Sequence, residues 1–242
     1  MKVCVAQTSS IKGDIESNII HHKKMIEAAT AHRADIIIFP ELSLTGYEPT
    51  LAHSLAMDPS DSRFDDFQTI SDTRRIVIAV GVPTRSDRGI CISLIIFQPH
   101  QQPLIYSKKY LHPDEEAYFV PGNNFPVLEV QSVKLAFAIC YELSIQAHAD
   151  NAFMNGADVY IASVAKYERS IKSTSERLSE IARENSTWVV MANSVGEADG
   201  EFCTGNSSAW NKKGKKMARL GTHEEGIIII DMDTQKIILQ TM

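Results

Sequence analysis

The stretch Val-Lys-Leu-Ala-Phe-Ala-Ile-Cys-Tyr-Glu-Leu-Ser, residues 133–144, decides how the rest of the chain is interpreted. Its first half has the apolar composition of a buried strand, and the pattern becomes polar directly after Cys140. This change predicts a strand that ends at Cys140 and a helix that starts there, the part of an α/β sheet where side chains meet ligands. Helix amide dipoles there are expected to lower the pKa of the thiol. Taken alone, Cys140 is more simply interpreted as a small buried hydrophobic residue.

The composition is that of an ordinary soluble globular protein, with 44% hydrophobic and 22% charged residues among 242. A chain of this length buries enough surface to fold without a disulfide or a metal. No linker-like change of composition occurs, so we expect a single domain over residues 1–242. The net charge of −6 argues against a nucleic-acid partner. The one basic cluster, at 212–216, is interrupted by Gly214 and predicts a solvated turn between strands.

Neither a signal-peptide pattern nor an apolar run of 18 residues occurs, which predicts a protein without a membrane partner. No histidine pair has the H-E-x-x-H spacing of a zinc enzyme. The cysteines are scattered and lack metal-ligand spacing. They are Cys4, Cys91, Cys140 and Cys203. We therefore expect a reduced, cytoplasmic protein with no metal.

Helical and strand patterns alternate along the chain, with more strands in the middle and at the end. Asp14 is expected to cap a helix that runs to about His32, and His22 interrupts its apolar stripe as a partly exposed residue without a partner. Further helices are predicted at 64–74, 146–155 and 171–185, and strands at 1–7, 34–39, 76–82, 90–97, 104–108, 127–130, 134–139, 158–162, 188–192, 208–211, 216–220, 226–231 and 236–239. This alternation predicts a layered α/β protein.

Three of the predicted strands end at residues that can carry chemistry. Glu41 follows the strand at 34–39, Lys108 ends the strand at 104–108, and Cys140 ends its own strand. In acyl transfer a thiol attacks a carbonyl carbon, a carboxylate accepts the thiol proton, and an ammonium group stabilises the charge on the oxygen. Strand-end Glu and Lys residues are mostly solvated, however, so physical reasoning alone yields only a candidate set.

The segments around these residues resemble motifs of the nitrilase superfamily, the carbon-nitrogen hydrolases. Residues 39–47 (Phe-Pro-Glu-Leu-Ser-Leu-Thr-Gly-Tyr) resemble the family's glutamate segment. Residues 106–111, with the pattern Tyr-x-Lys-x-x-Leu, are similar to its lysine segment, and residues 138–142 (Ala-Ile-Cys-Tyr-Glu) to its nucleophile segment. The three occur in the family's order, and weaker matches lie at 119–122, 155–158, 182–185, 193–196 and 205–207. The chain therefore resembles an amidase-like member over nearly its whole length.

Carried over residue by residue, the resemblance gives Glu41 the role of general base and Cys140 that of nucleophile. Lys108 and the backbone N–H of Tyr141 are implied to stabilise the oxyanion. The family's second glutamate, four residues before the Phe of the Phe-x-Pro-Gly turn, is Glu115, which is suited to orienting the lysine or relaying protons.

Two neighbours of these residues leave the register of the site open. Lys109 is expected to point away from the site if the strand alternates there, and Glu116 to face solvent. A register shift of one residue would place Lys109 in the site instead of Lys108.

The resemblance further implies a four-layer αββα sandwich with the site at one end of the two sheets. It implies hydrolysis of a non-peptide C–N bond through a thioester on the cysteine, with water as the second nucleophile and no cofactor. It also implies a homodimer or a higher homo-oligomer.

The chain departs from the family at positions near the expected pocket. Glu142 stands where several relatives have Asp, and no arginine follows it, which makes a carboxylate-bearing carbamoyl substrate less favourable. Candidates for lining the pocket are Tyr47, Tyr141, Lys166 and Tyr167. A small amide is the preferred substrate; the alternatives are an N-carbamoyl amine hydrolase, a nitrilase, and a binding protein that kept the fold without turnover.

Overall fold

The computed structural model describes all residues, 1–242, and contains fifteen strands and five α-helices. The strands are β1 Lys2–Gln7, β2 Ile36–Ile38, β3 Val77–Ser86, β4 Gly89–Phe97, β5 Leu104–Ser107, β6 Val127–Val130, β7 Val133–Ile139, β8 Val159–Val164, β9 Trp188–Asn193, β10 Val195–Ala198, β11 Glu201–Thr204, β12 Ser208–Trp210, β13 Lys216–Arg219, β14 Gly226–Asp231 and β15 Ile237–Thr241. The helices are α1 Ile15–Ala31, α2 Ala52–Leu55, α3 Asp65–Arg74, α4 Gln146–Met154 and α5 Glu168–Glu184. No helix combines the length and apolar composition needed to cross a bilayer.

The strands form two large sheets and one separate hairpin. The first sheet has the order β15-β14-β1-β2-β3-β4-β5, the second has the order β13-β12-β9-β8-β7-β6, and β10 pairs with β11 alone. In the first sheet β1, β2 and β3 are parallel, and in the second β7, β8 and β9 are parallel. Since the carboxyl ends of parallel strands share one edge of a sheet, the loops that follow β7 and β8 lie side by side.

The two sheets pack face to face, and helices cover their outer faces. Successive residues of β7 show this, because Leu135, Phe137 and Ile139 belong to the core between the sheets, whereas Ala136 and Ala138 face α4 and α5. On the first sheet, α1 and α3 pack against a separate outer core. The layers therefore run helix, sheet, sheet, helix, which confirms the αββα sandwich.

Most elements lie within two or three residues of their predicted bounds. The exceptions are β3, which continues to Ser86 instead of ending at 82, the short helix α2, which was not predicted, and the β10–β11 hairpin. The strand expected at 34–39 is only Ile36–Ile38, although Phe39 N still donates to Ala79 O on β3. The β10–β11 hairpin was not predicted at all. Its turn, Asp199-Gly200, has positive φ at both residues (49° and 74°), as a type I′ turn requires, so the Asp-Gly dipeptide was the available signal.

The expectation that His22 is partly exposed and without a partner is wrong. Its side chain is buried and stacks on Phe39 with 4.0 Å between ring centroids. Nδ1 lies 2.7 Å from Asn18 O and Nε2 lies 2.9 Å from Ser43 Oγ. Because a carbonyl oxygen only accepts, Nδ1 carries the proton and Nε2 accepts from Ser43. His22 thereby joins α1 to the loop that contains Glu41.

Burial lowers the pKa of His22 from 6.5 to about 3, so the folded protein keeps this ring neutral at pH values where the unfolded chain protonates it. The unfolded state then binds the extra proton, and the free energy of unfolding falls as the pH drops below about 6.5, by about 1.4 kcal/mol per pH unit. We predict that His22→Phe, which keeps the ring stack but cannot titrate, is less stable at pH 7.5 and loses less stability than the wild type on acidification to pH 5.

Urea unfolding of both proteins at pH 7.5 and pH 5 measures this difference. His53→Phe, at an exposed histidine of α2, serves as the control and should retain the wild-type pH dependence. Parallel pH dependence in His22→Phe and the wild type would contradict the prediction.

Candidate active site

The predicted site residues meet at one end of the sandwich, where loops of both sheets come together. Glu41 follows β2, Lys108 follows β5 and Cys140 follows β7. Glu115 ends a short 3₁₀ turn, Pro113–Glu115. A hydrogen bond of 2.8 Å from Ser163 Oγ on β8 to Phe39 O ties the second sheet to the glutamate segment.

The centre of the site is the ammonium group of Lys108, which lies between two carboxylates. Lys108 Nζ is 2.8 Å from Glu41 Oε1 and 2.7 Å from Glu115 Oε1, and none of the three side chains is more than 1% exposed. Burial alone would lower the pKa of Lys108, but the two carboxylates outweigh burial and hold the pKa above its ordinary value. Lys108 is therefore a fixed cation.

Two glycines allow the backbone to approach the loops that carry these charges. A Cβ on Gly81 of β3 would lie 2.3 Å from Pro40 O, and one on Gly122 would lie 2.2 Å from Ser107 O. Such contacts are impossible, so only glycine lets β3 support the glutamate segment and the 121–122 turn support the lysine segment.

The lysine segment has the register in which Lys108 enters the site. The Lys109 side chain is exposed, and so is that of Glu116, beside buried Glu115. The Lys108 backbone is held from the first sheet, since its N–H donates to Ile92 O over 2.8 Å. Lys108 is thus the lysine that contacts the carboxylates.

One carboxylate oxygen of Glu41 accepts a hydrogen bond, and the other has no hydrogen-bond partner. Oε1 accepts from Lys108, whereas Oε2 is buried without a hydrogen-bond partner. Burial raises the pKa of Glu41, and both Lys108 and the nearby thiol of Cys140 oppose this rise. A carboxyl group with a free oxygen next to a thiol is suited to accept the thiol proton.

Cys140 sits at a strained backbone position at the start of the 3₁₀ turn Cys140–Ser144. Its φ of +46° lies in the left-handed region, which costs energy for a residue other than glycine. Burial and then Glu41 raise the pKa of the thiol, against Lys166 and Lys108. The expectation of a lowered thiol pKa is therefore wrong, because a five-residue turn replaces the expected helix and the thiol is buried beside a carboxylate. The thiol needs a base to ionise it.

The four predicted pocket residues all line one cavity with Cys140, of about 410 Å³. Tyr47 also contacts the charged centre, because its hydroxyl donates to Glu115 Oε1 over 2.8 Å. Tyr141 packs edge-on against His112, with 5.1 Å between centroids. Lys166 and Tyr167 follow β8 and lead into α5. The unpredicted hairpin adds Asp199 and Glu201 to the wall, and Glu201 pairs with Arg169.

Glu142 is the site-proximal residue that sequence reasoning did not assign. It is fully buried and accepts hydrogen bonds from Tyr106, Ile139 and Lys109 at 2.5–2.7 Å. Burial raises the pKa of Glu142 to about 7, against these hydrogen bonds. Its signals in the sequence were its position two residues after Cys140 and the Asp that several relatives have there.

A four-layer sandwich with a thiol, a buried carboxylate and a buried ammonium at one end of its sheets defines the class of nitrilase-type hydrolases. The chain belongs to the carbon-nitrogen hydrolase family, whose model matches residues 2–240.

Relatives and solved structures agree with this membership. The chain is 24% identical to the (R)-stereoselective amidase of Pseudomonas sp, over 98% of this chain and 87% of that protein. It is 28% identical to a glutamine-dependent NAD(+) synthetase of Aquifex aeolicus, over 96% of this chain but 42% of that protein, so it spans less than half of that relative. The amidase from Nesterenkonia sp. AN1, solved as a mutant with acrylamide added at its active-site cysteine, superposes with a TM-score of 0.86 at 24% identity, covering 96% of this chain and 92% of that one.

We predict that Lys108→Met destabilises the fold by about 3–5 kcal/mol, because it leaves two buried carboxylates without their cation. Lys109→Met, at the exposed neighbour, should change stability by less than about 0.5 kcal/mol. Urea unfolding at pH 7.5 measures both. A loss below about 1 kcal/mol for Lys108→Met would show that the carboxylates do not depend on this ammonium.

Proposed function

We propose that this protein is a cysteine amidohydrolase that converts a small carboxamide into a carboxylic acid and ammonia. The observation that carries the proposal is that Cys140 lines a cavity of about 410 Å³ together with Glu115, and Glu115 holds the buried Lys108 ammonium, which in turn contacts Glu41. That volume is in the range of small-molecule sites.

In the first half of the proposed reaction, the free oxygen of Glu41 accepts the proton of the Cys140 thiol, and the sulfur attacks the amide carbon. The carbonyl oxygen becomes an oxyanion, which the Lys108 ammonium and the N–H of Tyr141 stabilise. When the C–N bond breaks, Glu41 returns its proton to the leaving nitrogen. Ammonia departs and the acyl group stays on sulfur as a thioester.

In the second half, water attacks the thioester and Glu41 accepts its proton. The C–S bond breaks, the thiolate regains the proton, and the acid is released. Glu115 orients Lys108 throughout, because Glu115 Oε1 accepts from both Lys108 and the Tyr47 hydroxyl. No cofactor enters these steps.

The alternatives use the same thiol and differ in what they release. An N-carbamoyl amine hydrolase releases an amine and carbon dioxide as well as ammonia, and a nitrilase starts from a nitrile. A binding protein on this fold would release nothing. A panel of amides, carbamoyl compounds and nitriles, with the acyl thioester trapped on Cys140 and weighed by mass spectrometry, separates these possibilities.

We predict that Cys140→Ala and Glu41→Gln each abolish amide turnover, because the first removes the nucleophile and the second removes its base. Cys91→Ala is the matched control, since Cys91 is buried on β4 outside the cavity, and it should keep turnover within about twofold. Ammonia release is the measurement. Turnover that survives in Cys140→Ala would refute the thioester mechanism.

The surroundings of Lys166 narrow the proposed substrate class among the small amides. Its backbone is held by buried Asn193, whose Oδ1 accepts from Lys166 N over 2.7 Å, and by Thr204 N, which donates to Lys166 O over 3.1 Å. Arg169 is neutralised by Glu201, whereas Lys166 forms no ion pair. Lys166 is close enough to lower the pKa of the Cys140 thiol. An unpaired ammonium beside the nucleophile favours an amide whose acyl chain ends in a carboxylate.

We predict that the wild type prefers an amide with a terminal carboxylate over its neutral counterpart, for example succinamate over butyramide. Lys166→Met should lower kcat/KM for the acidic amide by about 10- to 100-fold, the effect of one charge-assisted hydrogen bond, and leave the neutral amide nearly unchanged.

The controls separate recognition of substrate from support of the thiolate. Lys166→Arg should restore part of the preference, and Lys172→Met, at an exposed lysine of α5, should change neither substrate. Equal losses on both amides in Lys166→Met would mean that Lys166 acts on the thiol and not on the substrate.

Three further expectations stay predictions: a homodimer, a cytoplasmic location, and a single domain over 1–242. The core between the sheets supports the last, since strands from β1 to β14 contribute to it.

A further inference from the structure

Glu142 joins two segments that belong to different sheets. Oε1 accepts from Lys109 N over 2.7 Å, directly after Lys108, and Oε2 accepts from Ile139 N over 2.7 Å, directly before Cys140. A more distant contact to Tyr110 N, at 3.3 Å, lies on the Oε1 side. One carboxylate therefore holds the backbone beside the cation and the backbone beside the nucleophile.

A chain of buried side chains points its hydrogen-bond donors at this carboxylate. Tyr106 Oη lies 2.5 Å from Glu142 Oε2 and 2.9 Å from His148 Nε2, and His148 Nδ1 lies 2.9 Å from Tyr160 Oη. Since Tyr106 donates to Glu142, its oxygen accepts from Nε2–H of His148, and Nδ1 accepts from Tyr160. Burial lowers the pKa of His148 to about 3, in keeping with a neutral ring.

We propose that Glu142 is a positioning residue that sets the distance between the Lys108 ammonium and the Cys140 thiol by tying the lysine segment to the nucleophile segment. The inference rests on the proposed hydrolysis and adds a residue that touches neither substrate nor reacting atoms.

The chemistry gives this distance its importance. The oxyanion is the oxygen on the carbon that Cys140 attacks, and Cys140 follows a strand of the second sheet. The ammonium that stabilises this oxygen belongs to Lys108, which follows a strand of the first sheet. A misplacement of about 1 Å in such a group can cost about 100-fold in rate. Glu41 and Glu115 hold the ammonium of Lys108 by direct contact. Glu142 holds the backbone next to Lys108 at a set distance from the backbone next to Cys140.

Two tyrosine variants test the inference, because both remove one buried hydroxyl that bonds to His148 and only one contacts Glu142. Tyr106→Phe should lower kcat at least about 10-fold with KM within twofold, since the oxyanion forms only after binding. Tyr160→Phe should keep kcat within twofold. Thermal unfolding should shift alike in the two variants. Glu142→Gln, which keeps the shape and removes the charge, should lower kcat more than Tyr106→Phe.

A second readout isolates the cation from the thiol. Alkylation of Cys140 by iodoacetamide forms no oxyanion, so its rate in Tyr106→Phe should stay within twofold of the wild type. Equal kcat in the two tyrosine variants, or an alkylation rate that falls with kcat, would overturn the inference while leaving the hydrolase proposal standing. A wild type that hydrolyses no amide, carbamoyl compound or nitrile would overturn both.

Discussion

The Lys108 ammonium has no contact with solvent and is held by Glu41 and Glu115 at hydrogen-bonding distance. A buried charge is tolerated only when it is paired, and removal of one partner leaves the others uncompensated. The three residues come from two loops, one after β2 and one between β5 and β6, so both loops have to reach the same point for the charges to be paired. The sandwich provides that point, because its two sheets end at one edge. The same contacts that make the site possible also make the fold depend on it.

This cluster also decides the resting state of the nucleophile. Burial and then the carboxylate of Glu41 raise the pKa of the Cys140 thiol, and the Lys108 ammonium opposes this rise. In the proposed mechanism, a thiol that is protonated at rest reacts when Glu41 accepts its proton. Lys166, which lines the same cavity and forms no ion pair, also opposes the rise in the pKa of the thiol. The cavity therefore combines a thiol of raised pKa with an ammonium group that forms no ion pair within the protein.

The features that could be predicted from the sequence are those that depend on residues close together in the chain. The alternation of β7, the cap at Asp14 and the order of the three motif segments lie in short stretches, and the structure has the predicted layers. Glu142 is different, because Lys109 and Tyr106, two of its donors, are 33 and 36 residues away and reach it only after the sheets pack. His22 was misjudged for the same reason, since Ser43 and Phe39 come to it from another element. The β10–β11 hairpin, in contrast, had a local signal in Asp199-Gly200.

The buried charges around Lys108 make substitution of the charged residues costly, whereas the left-handed backbone at Cys140 makes substitution of the cysteine cheap. Replacement of Glu41, Lys108 or Glu115 one at a time leaves a buried charge without its partner. These three residues are therefore expected to persist or to change together. The thiol of Cys140 balances no charge, and at φ +46° a glycine would even relieve strain. A lineage that gives up turnover is therefore expected to lose its nucleophile first. Homologues that have lost activity are therefore expected to keep the Glu–Lys–Glu cluster and to carry another residue in place of the cysteine.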